Sequence, residues 1–240
     1  MDRNTLIISH LAVLIVGFWI AGALPQAQGP TETIAGTREA SAPIVAVAEH
    51  GGGVLGNVTV TIQPGSGKVL LDTDPFIQTD TQVSAKTAKN IAERITGVSL
   101  ANKNVLYSFS IEGSYLGGPS AGAAMTLATI AAIRNQTVPR DTVITGTIRP
   151  DGLIGKVGGI VHKAFAAGRA GIETFYVPEG QATITTYERV VSEHEYRGFY
   201  FQDVQYVPRQ ISLDNVTLQR FGMHVTGVRS IRNVAAHVLG

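Results

Sequence analysis

Residues 117–126 read GGPSAGAAMT, with one serine, Ser120, set between a Gly-Pro pair and a run of very small side chains. From 120 to 133 the sequence SAGAAMTLATIAAI is apolar all round, which predicts a helix buried on most faces and too short to span a bilayer. Upstream, 105–112 (VLYSFSIE) alternates, with Val105, Tyr107, Phe109 and Ile111 on one side, and predicts a half-buried strand running towards Ser120. A hydroxyl at the mouth of such a helix has almost no bulk around it. That setting suits a nucleophile that must meet a polypeptide closely, and it equally suits a helix cap that accepts from the first amides.

Around this strand and helix the pattern is irregular. Strands are expected at 44–48, 58–62 and 69–72, separated by the glycine-rich segments GGGVLG and PGSGK. Over 81–95 the period lengthens, with Ala88, Ile91, Ala92 and Ile95 on one helical face and Gly97 placed to end it. Residues 143–148 read as a strand, Pro150-Asp151-Gly152 as a turn, 160–167 as a short helix, 174–177 as a strand, 198–207 as extended and 231–239 as an amphipathic helix. Without an internal repeat, the class is α+β with mixed strand directions.

The 240 residues carry 44% hydrophobic and 15% charged residues, which argues against disorder, and a net charge of +1 without a basic block, which argues against a nucleic-acid partner. There is no cysteine, so neither disulfides nor a thiolate nucleophile is available, and six scattered histidines without an HExxH pair make no metal site. Residues 6–24 (LIISHLAVLIVGFWIAGAL) contain His10 as their only ionisable side chain and are long enough to cross a bilayer. Residues 1–24 are therefore expected to be a membrane anchor rather than a cleaved signal, which would give a secreted form. Residues 25–42, rich in Pro, Gly, Ala and Thr, read as a flexible linker, and 43–240 as the folded domain. Arg3 before the span weakly places that domain outside the cytoplasm.

Three motifs compete. PGSGK at 64–68 lacks the earlier glycine and the following Ser or Thr of a phosphate loop, so it reads as a turn and the chain shows no nucleotide site of its own; no cofactor is expected. GPSAG fits the G-x-S-x-G nucleophile elbow, whose acid and histidine would be drawn from Asp151, Asp203 or Asp214 and His224 or His237. In GKVGGIVHKAFAAGRAG at 155–171, Ile160, Ala164 and Ala167 share a helical face with Lys163 at its edge. A lysine held there loses hydration, its pKa falls, and its neutral form can take the proton of a serine hydroxyl. The alternative is that Lys163 snorkels along its stem to solvent.

The serine and lysine segments together resemble the proteolytic domain of the Lon family of serine peptidases. The resemblance rests on Gly118-Pro119-Ser120-Ala121-Gly122, Thr145-Gly146-Thr147-Ile148 and Gly158-Gly159-Ile160-Val161-His162-Lys163, in that order, with Lys163 43 residues after Ser120. It extends to EHGGGVLGNVTVTIQPGSGKVLLDTD upstream and FYVPEG downstream, covering 43–180. It implies a mixed sheet with packed helices of the ribosomal protein S5 domain 2-like type and a serine endopeptidase acting on polypeptide substrates. Ser120 would be the nucleophile, Lys163 the general base and Thr145 the partner of the lysine amine, with Gly118 and Ala121 supporting the nucleophile. It also implies a ring-shaped homo-oligomer. Gly117 stands where the family's motif usually begins with an acid. Family chains usually carry an AAA+ ATPase module, for which the first 42 residues leave no room, so the likeness is to stand-alone, membrane-tethered Lon-like peptidases, a group associated with archaea. Residues 186–220 have no counterpart in it. A non-catalytic module of the same fold, binding or assembling at a membrane, is the competing class.

Overall fold

The computed structural model describes residues 34–48, 51–72, 74–112 and 115–240. The apolar segment 6–24 lies outside the described residues, and among the described ones no helix is long and apolar enough to cross a membrane.

The first sheet is built from β1 (Arg38–Val47), β2 (Gly53–Pro64), β3 (Val69–Leu71) and, later, β5 (Lys103–Ser110), in the order β1-β2-β5-β3. β1, β2 and β5 pair antiparallel, and β3 joins β5 in parallel. β4 (Phe76–Ile77) precedes helix α1 (Thr79–Thr96), which Gly97 ends in the left-handed conformation (φ 74°). After β5 come β6 (Tyr115–Leu116), paired in parallel with β4, a 3-10 turn (Pro119–Ala121) and α2 (Gly122–Arg134). β7 (Thr142–Ile144), β8 (Thr147–Ile148), β9 (Ile154–Gly155), α3 (Ile160–Arg169) and β10 (Thr174–Pro178) follow. β11 (Thr183–Tyr196) and β12 (Phe199–Ser212) form a separate two-stranded ribbon, and α4 (Leu213–Phe221), β13 (His224–Val228) and α5 (Ile231–Val238) complete the chain. β13, β10 and β7 make a second, parallel sheet. The α+β class with mixed strand directions agrees with the sequence.

Strand alternation divides the core. Ala40, Ala42 and Ile44 of β1, with Val58, Val60 and Ile62 of β2, face α1, α2 and α5, whereas Val45 packs on the other side with Ala164 and Ala167 of α3 and Phe175 and Val177 of β10. All but the last residue of α2 are buried, which accounts for its all-round apolar sequence.

Several boundaries differ from the sequence reading, each for a local reason. β1 starts at Arg38, so 38–42 of the expected linker are strand; Ala40 and Ala42 are the inward residues, too small to register as apolar periodicity. GGGVLG is strand from Gly53 onward, because a Cβ on Gly53 would strike the carbonyl oxygen of His162, and one on Gly56 that of Ser110. The helix expected at 120–133 begins at Gly122, with Ser120 in the preceding 3-10 turn. The strand expected at 143–148 breaks at Thr145-Gly146: the Thr145 amide still bonds to the Tyr176 carbonyl of β10 (3.0 Å), but the Gly146 amide turns to the Ser120 carbonyl (2.9 Å). PGSGK spans the turn between β2 and β3, where Asn104 Oδ1 accepts from the amides of Ser66 and Lys68 at 2.9 and 3.1 Å.

Candidate active site

Ser120 is presented by a backbone that two glycines permit. Gly118 adopts φ 87°, ψ 143°, which L side chains avoid, and turns the chain from β6 into the 3-10 turn. Gly122 approaches β8 so closely that a Cβ would lie 2.8 Å from Ile148 Cγ2 and 2.9 Å from the Ile148 amide nitrogen. The start of α2 is thereby pressed against β8, and the break between β7 and β8 swings Thr145 under the serine. Gly146 N–H and Thr145 Oγ1 both reach the Ser120 carbonyl, at 2.9 and 3.3 Å, and Gly146 in turn accepts from the Ala123 amide at 3.0 Å.

Lys163 arrives from the first turn of α3. The helix opens at Gly159 in the left-handed conformation (φ 64°), where a Cβ would collide with Val47, and the Lys163 amide bonds back to the Gly159 carbonyl at 3.0 Å. Lys163 falls on the inward face with Ala164 and Ala167, while His162 and Arg169 are exposed, as the helical spacing anticipates. Its side chain does not snorkel: the residue is 3% exposed. Nζ lies 2.7 Å from Ser120 Oγ and 3.2 Å from Thr145 Oγ1. Burial disfavours the charged amine and lowers its pKa from 10.5 to about 8.

The structure thus brings Ser120, Lys163 and Thr145 into one hydrogen-bonded cluster, with Gly118 and Ala121 flanking the serine in the chain. Ser120 is not a helix cap, since neither the 3-10 turn nor α2 has a side-chain cap bond. The nucleophile-elbow alternative also falls. No histidine bonds to Ser120 among the described residues; Asp214 and His224 meet each other at 3.4 Å with the imidazole largely exposed, Asp151 pairs with Arg149, and Asp203 accepts from Gln205 within the ribbon. The sheets among the described residues have two to four strands, none of them the large parallel sheet that motif requires.

Sequence reasoning missed the opposite wall. Asp80 Oδ1 accepts from the Gly118 amide at 3.2 Å, and buried Thr81 donates through Oγ1 to the Gly118 carbonyl at 3.1 Å, so the first turn of α1 grips the residue two before the nucleophile. The only hint was an Asp-Thr pair where a helix begins. Beside it Phe76, Ile77, Gln78, Thr79, Asp80 and Gln82 line an open groove of about 450 Å³, and the Gln78 side-chain amide rests against Gly117. On the lysine side Gln181 exchanges two hydrogen bonds with the Val157 backbone, at 2.8 and 2.9 Å, tying the segment after β10 to the loop that leads into α3.

Residues 41–187 match the Lon protease (S16) C-terminal proteolytic domain. Over 132 residues, 53% of this chain and 16% of the relative, the sequence is 34% identical to the Lon protease of Phenylobacterium zucineum. It is 31% identical to the archaeal Lon protease of Methanocaldococcus jannaschii over 148 residues, 57% of this chain and 23% of that one. The chain therefore spans about a sixth to a quarter of the length of these relatives. With more than half of its residues matched, around the cluster just described, the chain belongs to the family of the Lon protease C-terminal proteolytic domain.

Proposed function

We propose that this chain is a serine endopeptidase that cuts polypeptides through a Ser120–Lys163 dyad. The observation that carries the reading is the 2.7 Å contact between Ser120 Oγ and a lysine whose burial lowers its pKa to about 8. At pH 7 roughly a tenth of such a lysine is neutral, against well under a thousandth of an exposed one. The neutral amine takes the Ser120 proton as Oγ attacks the peptide carbonyl; the resulting ammonium gives that proton to the leaving amine as the C–N bond breaks, leaving an acyl ester on Oγ. Lys163, neutral again, then activates the water that hydrolyses the ester. Thr145 Oγ1 accepts from Nζ throughout and keeps the amine aimed at the serine. The amide of Ser120, within the first turn where helical amides lack partners, stands ready for the oxyanion. Gly118, with open space on its side-chain face, leaves room for a substrate strand to lie beside β6, near the groove lined by Phe76.

The same reading makes hydrolysis independent of ATP; it is supported by PGSGK, the segment nearest to a phosphate loop, being a turn closed by Asn104. It tethers the enzyme to a membrane through residues 6–24, with the peptidase on the extracytoplasmic side, and allows the ring-shaped assembly implied by the family. The test is cleavage of casein by the full chain without ATP, comparing wild type with Ser120→Ala and Lys163→Ala. Both variants are expected to lose at least a hundredfold in kcat/KM. Wild-type activity retained in Lys163→Ala, or failure of a serine-reactive phosphonate to label Ser120 in an inactive wild type, would leave a non-catalytic binding module as the better account.

A further inference from the structure

The ribbon formed by β11 and β12 lies almost wholly beyond residue 187, where the family match ends. Its two strands have 14 residues each, a length of about 45 Å, and they pair only with each other. A lone two-stranded ribbon is marginal in water at best. This one is also the apolar part of the surface: ten of the fourteen large hydrophobic side chains exposed among the described residues lie on it, Tyr200 and Phe199 at 77% and 70%. A surface of that kind marks a contact that is covered in the working molecule.

The register says what covers it. Residues directly opposite share a face, so Tyr187/Pro208, Arg189/Tyr206, Val191/Val204, Glu193/Gln202 and Glu195/Tyr200 form successive rows of one face. The Val191/Val204 row has Arg189 two residues to one side of it and Glu193 two residues to the other. A two-fold axis across both strands at that row lays β11 on β11 of a second copy, running in the opposite direction. Valine then meets valine, Arg189 lies over the partner's Glu193, and Pro208 lies over the partner's Tyr200. Arg189 has no ion-pair or hydrogen-bond partner among the described residues, whereas the Arg on the opposite face, Arg209, is already paired with Glu188 at 2.8 Å. A face that is complementary to itself under a two-fold rotation is the signature of an isologous contact. Two such faces, each ~10 Å wide, bury roughly 1,000 Å² between them before side-chain relief is counted, the lower bound for a specific interface. Four acidic residues spread along the ribbon, at 188, 193, 195 and 203, oppose its insertion into lipid.

We propose that the 183–212 ribbon is a self-association arm that pairs antiparallel, through its Tyr187–Val191–Tyr200–Val204–Tyr206 face, with the same ribbon of a second copy. The chain has no cysteine, so single cysteines report the contact without interference. In the full chain carrying Ser120→Ala to prevent self-cleavage, oxidation should link Val191→Cys and Val204→Cys into dimers on a non-reducing gel. Val190→Cys, on the opposite face, and Arg189→Cys alone should stay unlinked, and Arg189→Cys with Glu193→Cys should link. Arg189→Glu should weaken the dimer roughly tenfold by light scattering, and Arg189→Glu with Glu193→Arg should restore it. Equal linkage at 190 and 191, or none at 191, overturns the pairing. A monomeric chain whose Cys at 191 is shielded from alkylation by casein or by phosphatidylcholine vesicles overturns it in favour of a substrate or a lipid surface. None of these readouts depends on peptide hydrolysis, so the arm and the peptidase stand or fall separately.

Discussion

At Lys163 the same burial shapes both reactivity and stability. In the proposed dyad the neutral amine is the reactive form, so kcat/KM for a fluorogenic peptide should rise about tenfold per pH unit below the folded-state pKa of about 8 and level off above it; a flat profile from pH 6 to 9 would remove the lysine from the role of base. The stability sign follows from linkage. A pKa lowered from 10.5 to about 8 means that the unfolded chain binds more protons between those values, so stability grows with pH across that window. Below pH 8 burial of the charged form costs about 3 kcal/mol before hydrogen bonds offset it. Lys163→Met, which keeps the stem and removes the charge, should therefore raise the unfolding free energy at pH 7 by ~1–3 kcal/mol in urea titration and flatten its rise between pH 8 and 10, while abolishing cleavage. A variant less stable than wild type at pH 7 would mean that the bonds to Ser120 and Thr145 outweigh desolvation.

Among the elements, glycines decide how closely strands and helices meet, and they also decide what the sequence could disclose. Gly122 holds α2 against β8; Gly122→Ala should cost ~1–3 kcal/mol and lower kcat at least tenfold, because α2 carries Ser120 away from Lys163 as it yields. Gly117→Ala meets only the movable amide of Gln78 and should leave stability within about 0.5 kcal/mol; equal losses for the two would contradict this account of Gly122. The alternation of 105–112 and the apolar run after Ser120 were legible because each obeys one period over many residues. The strand character of 53–56 was not, since glycines placed for close approach look like loop, nor was the break at Thr145-Gly146, where the Gly146 amide leaves the sheet for the Ser120 carbonyl. Ser120 and Lys163 could be paired from sequence by their resemblance to a known spacing. The grip of Asp80 and Thr81 on Gly118 could not, because it joins residues 37 and 38 positions apart through backbone atoms, where side-chain identity leaves little trace.

For the folded domain as a whole, the ribbon and the body are separable. The ribbon lends Ile184, Ile211 and Ser212, half-buried at its base, to the surface it springs from, so replacing 188–207 by a short turn should leave the urea midpoint of the body nearly unchanged; a large fall would mean that the body depends on the ribbon. The body itself closes late in the sequence. β13 supplies an outer strand of the parallel sheet, Ile231 and Val234 of α5 fill the core beside α2, and Gln136 Nε2 donates to the Leu239 carbonyl at 2.6 Å, across 103 residues. On a ribosome making roughly 5–20 residues per second, Ser120 and Lys163 are both polymerised several seconds before the segment that completes their support. In the proposed peptidase a nascent chain is therefore silent until α5 has left the ribosome, and translation stalled after β12 would release no premature activity.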